Sequence, residues 1–345
     1  MAERITYPDT LDGMIQHLTV RVGKSVPAFE IEEKAKLALE INRIKKERNA
    51  IILGHNYMET ALFNSIPDYV GDSLGLSRIA AETTADVILF CGVRFMAETA
   101  KIVNPTRKVL LPAKKAGCSL ASSITPQDVI DLKAKYPGVP VVTYINTYAA
   151  VKAECDVCCT SGNATKIVNN LDSDVVICIP DEFLAKNIAR ETGKKVITPG
   201  GILGADTMVV WDGKCEVHEQ FKVSDIEQVR KQFPGTLVIA HPECSPEVVE
   251  ASDFSGSTTK MEEFVKQTDS KHYLLLTECS MSDNIQSSNP EKDMLGLCSV
   301  RCPHMNEITL EDTLLCLQED KYEIKLEENL RLRALKSIEK MFELG

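Results

Sequence analysis

The chain has no surplus of positive charge: 39 Lys and Arg stand against 50 Asp and Glu, for a net charge of −11. Non-specific nucleic-acid binding needs a basic footprint, so no nucleic-acid partner is expected. A small anionic ligand remains open, because the local field of a pocket can oppose the net charge. The chain also lacks any run near the ~20 apolar residues that cross a bilayer, so no membrane role is expected. Met1 to Asp12 lacks a basic stretch followed by an apolar one and carries acids early, so no export or transit signal is read and a cytoplasmic protein is expected. No low-complexity linker divides the 345 residues, so several compact lobes packed tightly together are expected.

What is present is repetition. Three apolar runs end in polar residues able to do chemistry: Ile51-Ile52-Leu53 before His55-Asn56-Tyr57, Val141-Val142-Thr143 before Tyr144-Ile145-Asn146, and Leu237-Val238-Ile239 before His241-Pro242-Glu243. Three small-residue segments read as helix openings: Gly71-Asp72-Ser73, Ser161-Gly162-Asn163 and Gly256-Ser257-Thr258. Cys118, Cys215 and Cys302 recur in step with them. The common spacing of about 90 residues marks repeated structural units.

Short β-branched runs alternate with helical patterns such as residues 30–48, so the strands are expected to form parallel sheets covered on both faces. The fold class is therefore α/β: three αβα lobes with small parallel sheets, related by a pseudo-threefold around a central site. Boundaries are placed at 1–113, 114–199 and 200–303, with the helical tail, 304–345, returning to the first lobe. Ligands of open α/β sheets bind beyond the carboxyl ends of strands. Three inward-pointing carboxyl edges would bring the repeated residues to one cavity.

Twelve cysteines are many for a reducing compartment, where structural disulfides are not expected. Cys91, Cys178 and Cys316 lie in apolar runs and read as packing. Cys118, Cys215 and Cys302 form no tight pair with one another, so they are either ordinary loop residues or a long-range staple for a soft metal site. Three thiolates on a four-iron cluster would leave one iron open as a Lewis acid. A competing set, Cys155, Cys158, Cys298 and Cys302, would suit tetrahedral zinc in a non-catalytic module. A radical-type cysteine triplet fails because position 305 is Met305.

The helix openings could cradle anions through free backbone amides, aided by Ser73, Ser161 and Thr258, or could be plain N-caps. His55 with Tyr57, Tyr144 with Asn146, and His241 with Glu243 are spaced two apart, so each pair shares a side in extended backbone and can serve acid–base chemistry. His218 and His304, beside candidate cysteines, read as supporting donors.

At these residues the chain closely resembles the quinolinate synthase family, from about Ile51 to Leu317. The resemblance rests on Gly54-His55-Asn56-Tyr57-Met58, Phe95-Met96-Ala97-Glu98-Thr99-Ala100-Lys101, Tyr144-Ile145-Asn146-Thr147, Thr160-Ser161-Gly162-Asn163-Ala164, Cys215-Glu216-Val217-His218-Glu219, His241-Pro242-Glu243-Cys244 and Cys302-Pro303-His304-Met305. It implies a [4Fe–4S] cluster on Cys118, Cys215 and Cys302, one cysteine from each lobe. It implies condensation of iminoaspartate with dihydroxyacetone phosphate to quinolinate, releasing phosphate and two waters, in de novo NAD biosynthesis. Tyr57 and Glu243 take the place of the family's proton-transfer groups. His55, Ser73, Tyr144, Asn146, Ser161, His241 and Thr258 take that of its substrate-binding groups. An L-aspartate oxidase or dehydrogenase is the implied source of iminoaspartate. An iron–sulfur hydro-lyase acting on a hydroxy-acid is the competing class. The cysteine triplet of some family members is absent here, since only Cys298 and Cys302 occur near the last ligand, and the first forty residues lie outside the shared motifs.

Overall fold

The computed structural model describes residues 4–297 and 300–345, so Cys298 of the zinc alternative lies outside the described residues. Three sheets organise the chain. The first holds β1 (Ala50–His55), β2 (Tyr69–Gly71), β3 (Val87–Cys91) and β4 (Lys108–Leu110), in the order β2-β1-β3-β4. The second holds β5 (Val141–Tyr144), β6 (Val157–Cys159), β7 (Val176–Ile179), β8 (Lys195–Ile197) and β9 (Thr207–Val210), in the order β6-β5-β7-β9-β8. The third holds β10 (Leu237–Ala240), β11 (Phe254–Ser255), β12 (His272–Leu276) and β13 (Asp293–Gly296), in the order β11-β10-β12-β13. Every strand pair in these sheets is parallel.

The strand order repeats three times, and the second lobe differs by one added edge strand, β8. This is the α/β architecture of three small parallel sheets expected from the sequence. The central strands are apolar along their length because helices cover both faces: all six residues of β1 and all four of β5 and β7 are buried.

The second sheet runs past residue 200, where the third lobe was expected to open. β9 pairs with β7 over Val176–Met208, Ile177–Val209 and Cys178–Val210, so the chain up to Val210 belongs to that sheet. This regrouping gives each lobe one cysteine: Cys118 follows β4, Cys215 follows β9 and Cys302 follows β13. The tail divides between two lobes. Leu310–Glu319 lies on Ala28–Glu47 of the first, as expected, whereas Glu328–Leu344 lies mainly against β6 and Ala149–Lys152 of the second while also touching Arg94–Val103 of the first, where Arg331 donates to Ile102 O at 3.0 Å. Among the described residues no helix is long and apolar enough to cross a membrane.

Candidate active site

The carboxyl ends of the central strands β1, β5 and β10 meet at one cavity with an empty volume of about 670 Å3. All twelve residues singled out in the sequence line it: His55, Tyr57 and Ser73 with Cys118; Tyr144, Asn146 and Ser161 with Cys215; His241, Glu243 and Thr258 with Cys302. The three helix openings differ in detail. Ser73 is the first residue of Ser73–Glu82, behind Asp72, whose carboxylate accepts from Gly75 N at 2.9 Å. Thr258 opens Thr258–Gln267 behind Ser257. Ser161 lies in a turn ahead of Ala164–Asn170, a turn closed by Asn163 Oδ1 accepting from Thr160 N at 2.7 Å. Thr258 Oγ1 also accepts from Asn56 Nδ2 at 2.9 Å, which ties the third lobe to the first.

His55 and His241 occupy matching positions and make matching bonds. The Nδ1 atom of His55 accepts from Tyr57 N at 3.2 Å, and that of His241 accepts from Glu243 N at 3.4 Å. A backbone amide can only donate, so Nε2 carries the ring proton in each neutral imidazole. Burial holds both rings neutral: it brings His55 down to about 4 and, with His218 adding to it, His241 to about 3.

One hydrogen-bonded chain crosses the cavity. The Tyr57 hydroxyl is 2.5 Å from Thr277 Oγ1 and 3.4 Å from His218 Nε2. Thr277 Oγ1 is 3.0 Å from His218 Nε2, and His218 Nδ1 is 3.2 Å from Glu243 Oε2. Tyr144 donates its hydroxyl to the other oxygen of Glu243 at 2.5 Å. His218 also stacks on His241, with ring centroids 4.6 Å apart. Burial raises both phenols well above their ordinary value, and the Glu243 charge adds to this, so Tyr57 and Tyr144 are neutral donors. Burial pushes Glu243 up as well, but the charge and hydrogen bond of His218, with His241 and Tyr144, outweigh it and keep the carboxylate ionised. A buried acceptor thus meets one phenol, Tyr144, directly and the other, Tyr57, through a histidine and a threonine, an arrangement able to move a proton across the cavity.

The cysteines separate by exposure. Of the eleven described, only Cys118, Cys215 and Cys302 are partly exposed, and these three line the cavity; the other eight are buried. Each of the three opens a single tight turn. Its carbonyl accepts from the amide four residues on: Ser122 N at 3.1 Å, Glu219 N at 3.0 Å and Asn306 N at 3.1 Å. Ala121 N donates to Cys118 Sγ at 3.4 Å, and His218 Nδ1 lies 3.2 Å from Cys215 Sγ. The backbone amides that follow each cysteine, Ala121 and Leu120, His218 and Val217, and Met305 and His304, act to lower its thiol. Burial still pushes the thiols up, Cys118 to about 12, Cys302 to about 11 and Cys215 well above its usual value. Around Cys215, its sulfur, His218 and Glu243 place donor atoms within 4.8 Å of one another.

Of the described cysteines of the zinc set, only Cys302 lines the cavity. The Cys155 thiol donates to Val151 O at 3.1 Å, and Cys158 Sγ lies 3.3 Å from Ser337 Oγ; the two pack into different cores.

Sequence reasoning gave His218 only a supporting place and did not single out Thr277, Glu278 or Asp181. The repeat carries the missed signal. Asp181 follows β7 as Glu278 follows β12, and each caps the next helix, accepting from Leu184 N at 2.7 Å and Ser280 N at 2.7 Å. Glu278 also accepts the amide of a cavity cysteine, Cys302, at 3.4 Å, and backbone amides including that of Cys215 act to lower Asp181 against its burial. Burial raises both, Glu278 to about 7.

Lobes that meet at a buried acid–base cavity, with three thiols on its wall, define an α/β protein of the enzyme class. The family model described as quinolinate synthetase A protein matches residues 39–343, and the chain belongs to that family. It is similar to the quinolinate synthase of Xylella fastidiosa (strain 9a5c), 49% identical over 301 residues that cover 87% of this chain and 85% of the relative. It is similar also to that of Sinorhizobium fredii, 48% identical over 95% of this chain and 88% of the relative. The Agrobacterium fabrum quinolinate synthase is 46% identical over 94% and 90%.

Proposed function

We propose that the chain condenses iminoaspartate with dihydroxyacetone phosphate to quinolinate, releasing one phosphate and two waters, as a step of NAD biosynthesis. The observation that carries this reading is the convergence of the three strand-end pairs and three partly exposed cysteines on one cavity. An L-aspartate oxidase or dehydrogenase would supply the imine.

The residues fit a [4Fe–4S] cluster held by Cys118, Cys215 and Cys302. The support is that these three, alone partly exposed among the described cysteines, line one cavity, and that donors lie at the sulfurs, Ala121 N at Cys118 and His218 Nδ1 at Cys215, as suits thiolate ligands. When bound, the cluster supplies a Lewis acid at the iron that lacks a cysteine.

The chain's own side chains account for the rest. The Nε2–H groups of His55 and His241, with the hydroxyls of Ser73, Ser161 and Thr258, are donors for the carboxylates and phosphate. Asn146, half-buried at the cavity wall, and Tyr144 orient the substrate. Tyr57 gives a proton to, or takes one from, the triose carbon skeleton as its carbonyl migrates. Thr277 and His218 connect Tyr57 to Glu243, which accepts the protons released as the ring forms. Both dehydrations need such an acceptor and a donor on opposite sides of the same small volume.

The test is anaerobic incubation of the loaded chain with iminoaspartate generated in situ and dihydroxyacetone phosphate. Quinolinate and phosphate are expected in equal amounts, with neither formed when the triose phosphate is left out. Dehydration of a hydroxy-acid with no quinolinate formed would favour the hydro-lyase class instead.

A further inference from the structure

Each central strand ends in a matching segment: His55-Asn56-Tyr57-Met58, Tyr144-Ile145-Asn146-Thr147 and His241-Pro242-Glu243-Cys244. In all three, the two backbone carbonyls on either side of the third residue are bound by one buried nitrogen. Asn284 Nδ2 donates to Asn56 O at 3.0 Å and Met58 O at 2.8 Å, bracketing Tyr57. Asn187 Nδ2 donates to Pro242 O at 2.9 Å and Cys244 O at 3.0 Å, bracketing Glu243. Lys152 Nζ donates to Ile145 O at 2.8 Å and to Thr147 O, bracketing Asn146.

The two asparagines also match each other in place. Each is the sixth residue of the helix that follows the third strand of its lobe, Glu182–Thr192 for Asn187 and Cys279–Ser288 for Asn284. Each is only 3% exposed. Each reaches a neighbouring lobe: Asn284 from the third to the first, Asn187 from the second to the third.

We propose that Asn284 and Asn187 are positioning residues, which fix the direction of Tyr57 and Glu243 from the adjacent lobe, as Lys152 does for Asn146 within its own. Two carbonyls drawn to one nitrogen fold the backbone around that point and turn the intervening side chain outward from it. Tyr57 and Glu243 both line the cavity. Satisfying buried carbonyls is a need that any donor or a water could meet. A single nitrogen shared by both carbonyls, repeated in all three lobes and always centred on the residue with chemistry, does more: it sets the angle of that residue. A displacement of about 1 Å at a reacting group costs roughly 100-fold in rate, so this angle matters for turnover far more than for folding.

This inference rests on the acid–base reading of Tyr57 and Glu243 above. If the wild-type chain makes no quinolinate, that reading fails by itself, so the wild type is assayed first. Asn284→Ala and Asn187→Ala are then made in the full, loaded chain. The near-isosteric Asn284→Asp and Asn187→Asp, which lose the amide donors but keep the shape, are the second set should the alanine forms not fold. For each, kcat, both KM values, the Kd for quinolinate and the thermal midpoint are measured. We expect kcat to fall about 10- to 100-fold, with KM and Kd within about 3-fold of wild type. Wild-type kcat in the variants overturns the proposal. So does a fall in kcat matched by an equal loss of quinolinate affinity and a lowered midpoint, because that is the signature of a purely structural bond.

Discussion

The Tyr144 hydroxyl, from the second lobe, donates to the Glu243 carboxylate, from the third, at 2.5 Å. Neither residue has a sequence neighbour that explains the other. Their pairing closes a network that reaches Tyr57 in the first lobe through His218 and Thr277. The groups proposed for proton transfer therefore belong to the junction of the lobes and to no single one of them.

Tyr57→Phe removes the phenol and keeps the ring. Loss of a general acid–base group costs about 10²- to 10⁴-fold, and that fall is expected in kcat for quinolinate formation. The thermal midpoint should move little, because only one hydroxyl is lost. A rate within a few-fold of wild type would remove Tyr57 from proton transfer.

With the proposed cluster in place, anaerobically purified protein is expected to be brown with about four irons and four sulfides per chain, and Cys118→Ala, Cys215→Ala and Cys302→Ala should each abolish that colour. Cys155→Ala and Cys158→Ala should leave iron and sulfide unchanged, since those thiols pack into cores. Iron and sulfide analysis of the five variants separates the cluster set from the zinc set.

The buried histidines make stability depend on pH with a definite sign. Burial lowers His55 from 6.5 to about 4, so between those values the unfolded chain takes up a proton that the folded chain refuses. Stability contributed by neutral His55 is complete above pH 6.5 and is lost as pH falls toward 4. Thermal midpoints of wild type and His55→Gln between those pH values should converge as the pH drops, the variant having the shallower slope. Parallel curves would show that His55 is not held neutral by the fold.

Gly213 sits two residues before Cys215, beside Asp181 in an isolated bridge. A Cβ there would lie 2.4 Å from Ser123 Oγ and 2.5 Å from the backbone Pro180 O, and the backbone atom cannot swing aside. Gly213→Ala should displace the Cys215 turn, lowering iron content, and should cost about 1–3 kcal/mol of stability, the range for overpacking. Iron analysis with calorimetry on the same sample checks both halves.

The sequence alone was enough to specify the central strand ends and the polar residues that follow them. Runs such as Val87–Cys91 and Leu237–Ala240 are apolar throughout because parallel strands are covered on both faces, and that requirement is written into consecutive residues. The ninety-residue recurrence then placed His55, Tyr144 and His241 in equivalent positions. Edge strands such as β2 and β11 were not legible, since Tyr69–Gly71 and Phe254–Ser255 pair on one side only and are too short to carry a period. Nor was the helix Leu11–Val22, in the stretch outside the shared motifs. The boundary near residue 200 fell inside a sheet because strand pairing is non-local: β9 joins β7 across a helix and a further strand. The repeat gave each lobe its own inventory of side chains, which is a property of local sequence. Which side chains meet across the seams was decided only by the packing of lobes: Tyr144 with Glu243, His218 with Tyr57, Asn284 with the carbonyls around Tyr57. Contacts of that kind depend on distances between residues far apart in the chain, and no pattern along the chain encodes them.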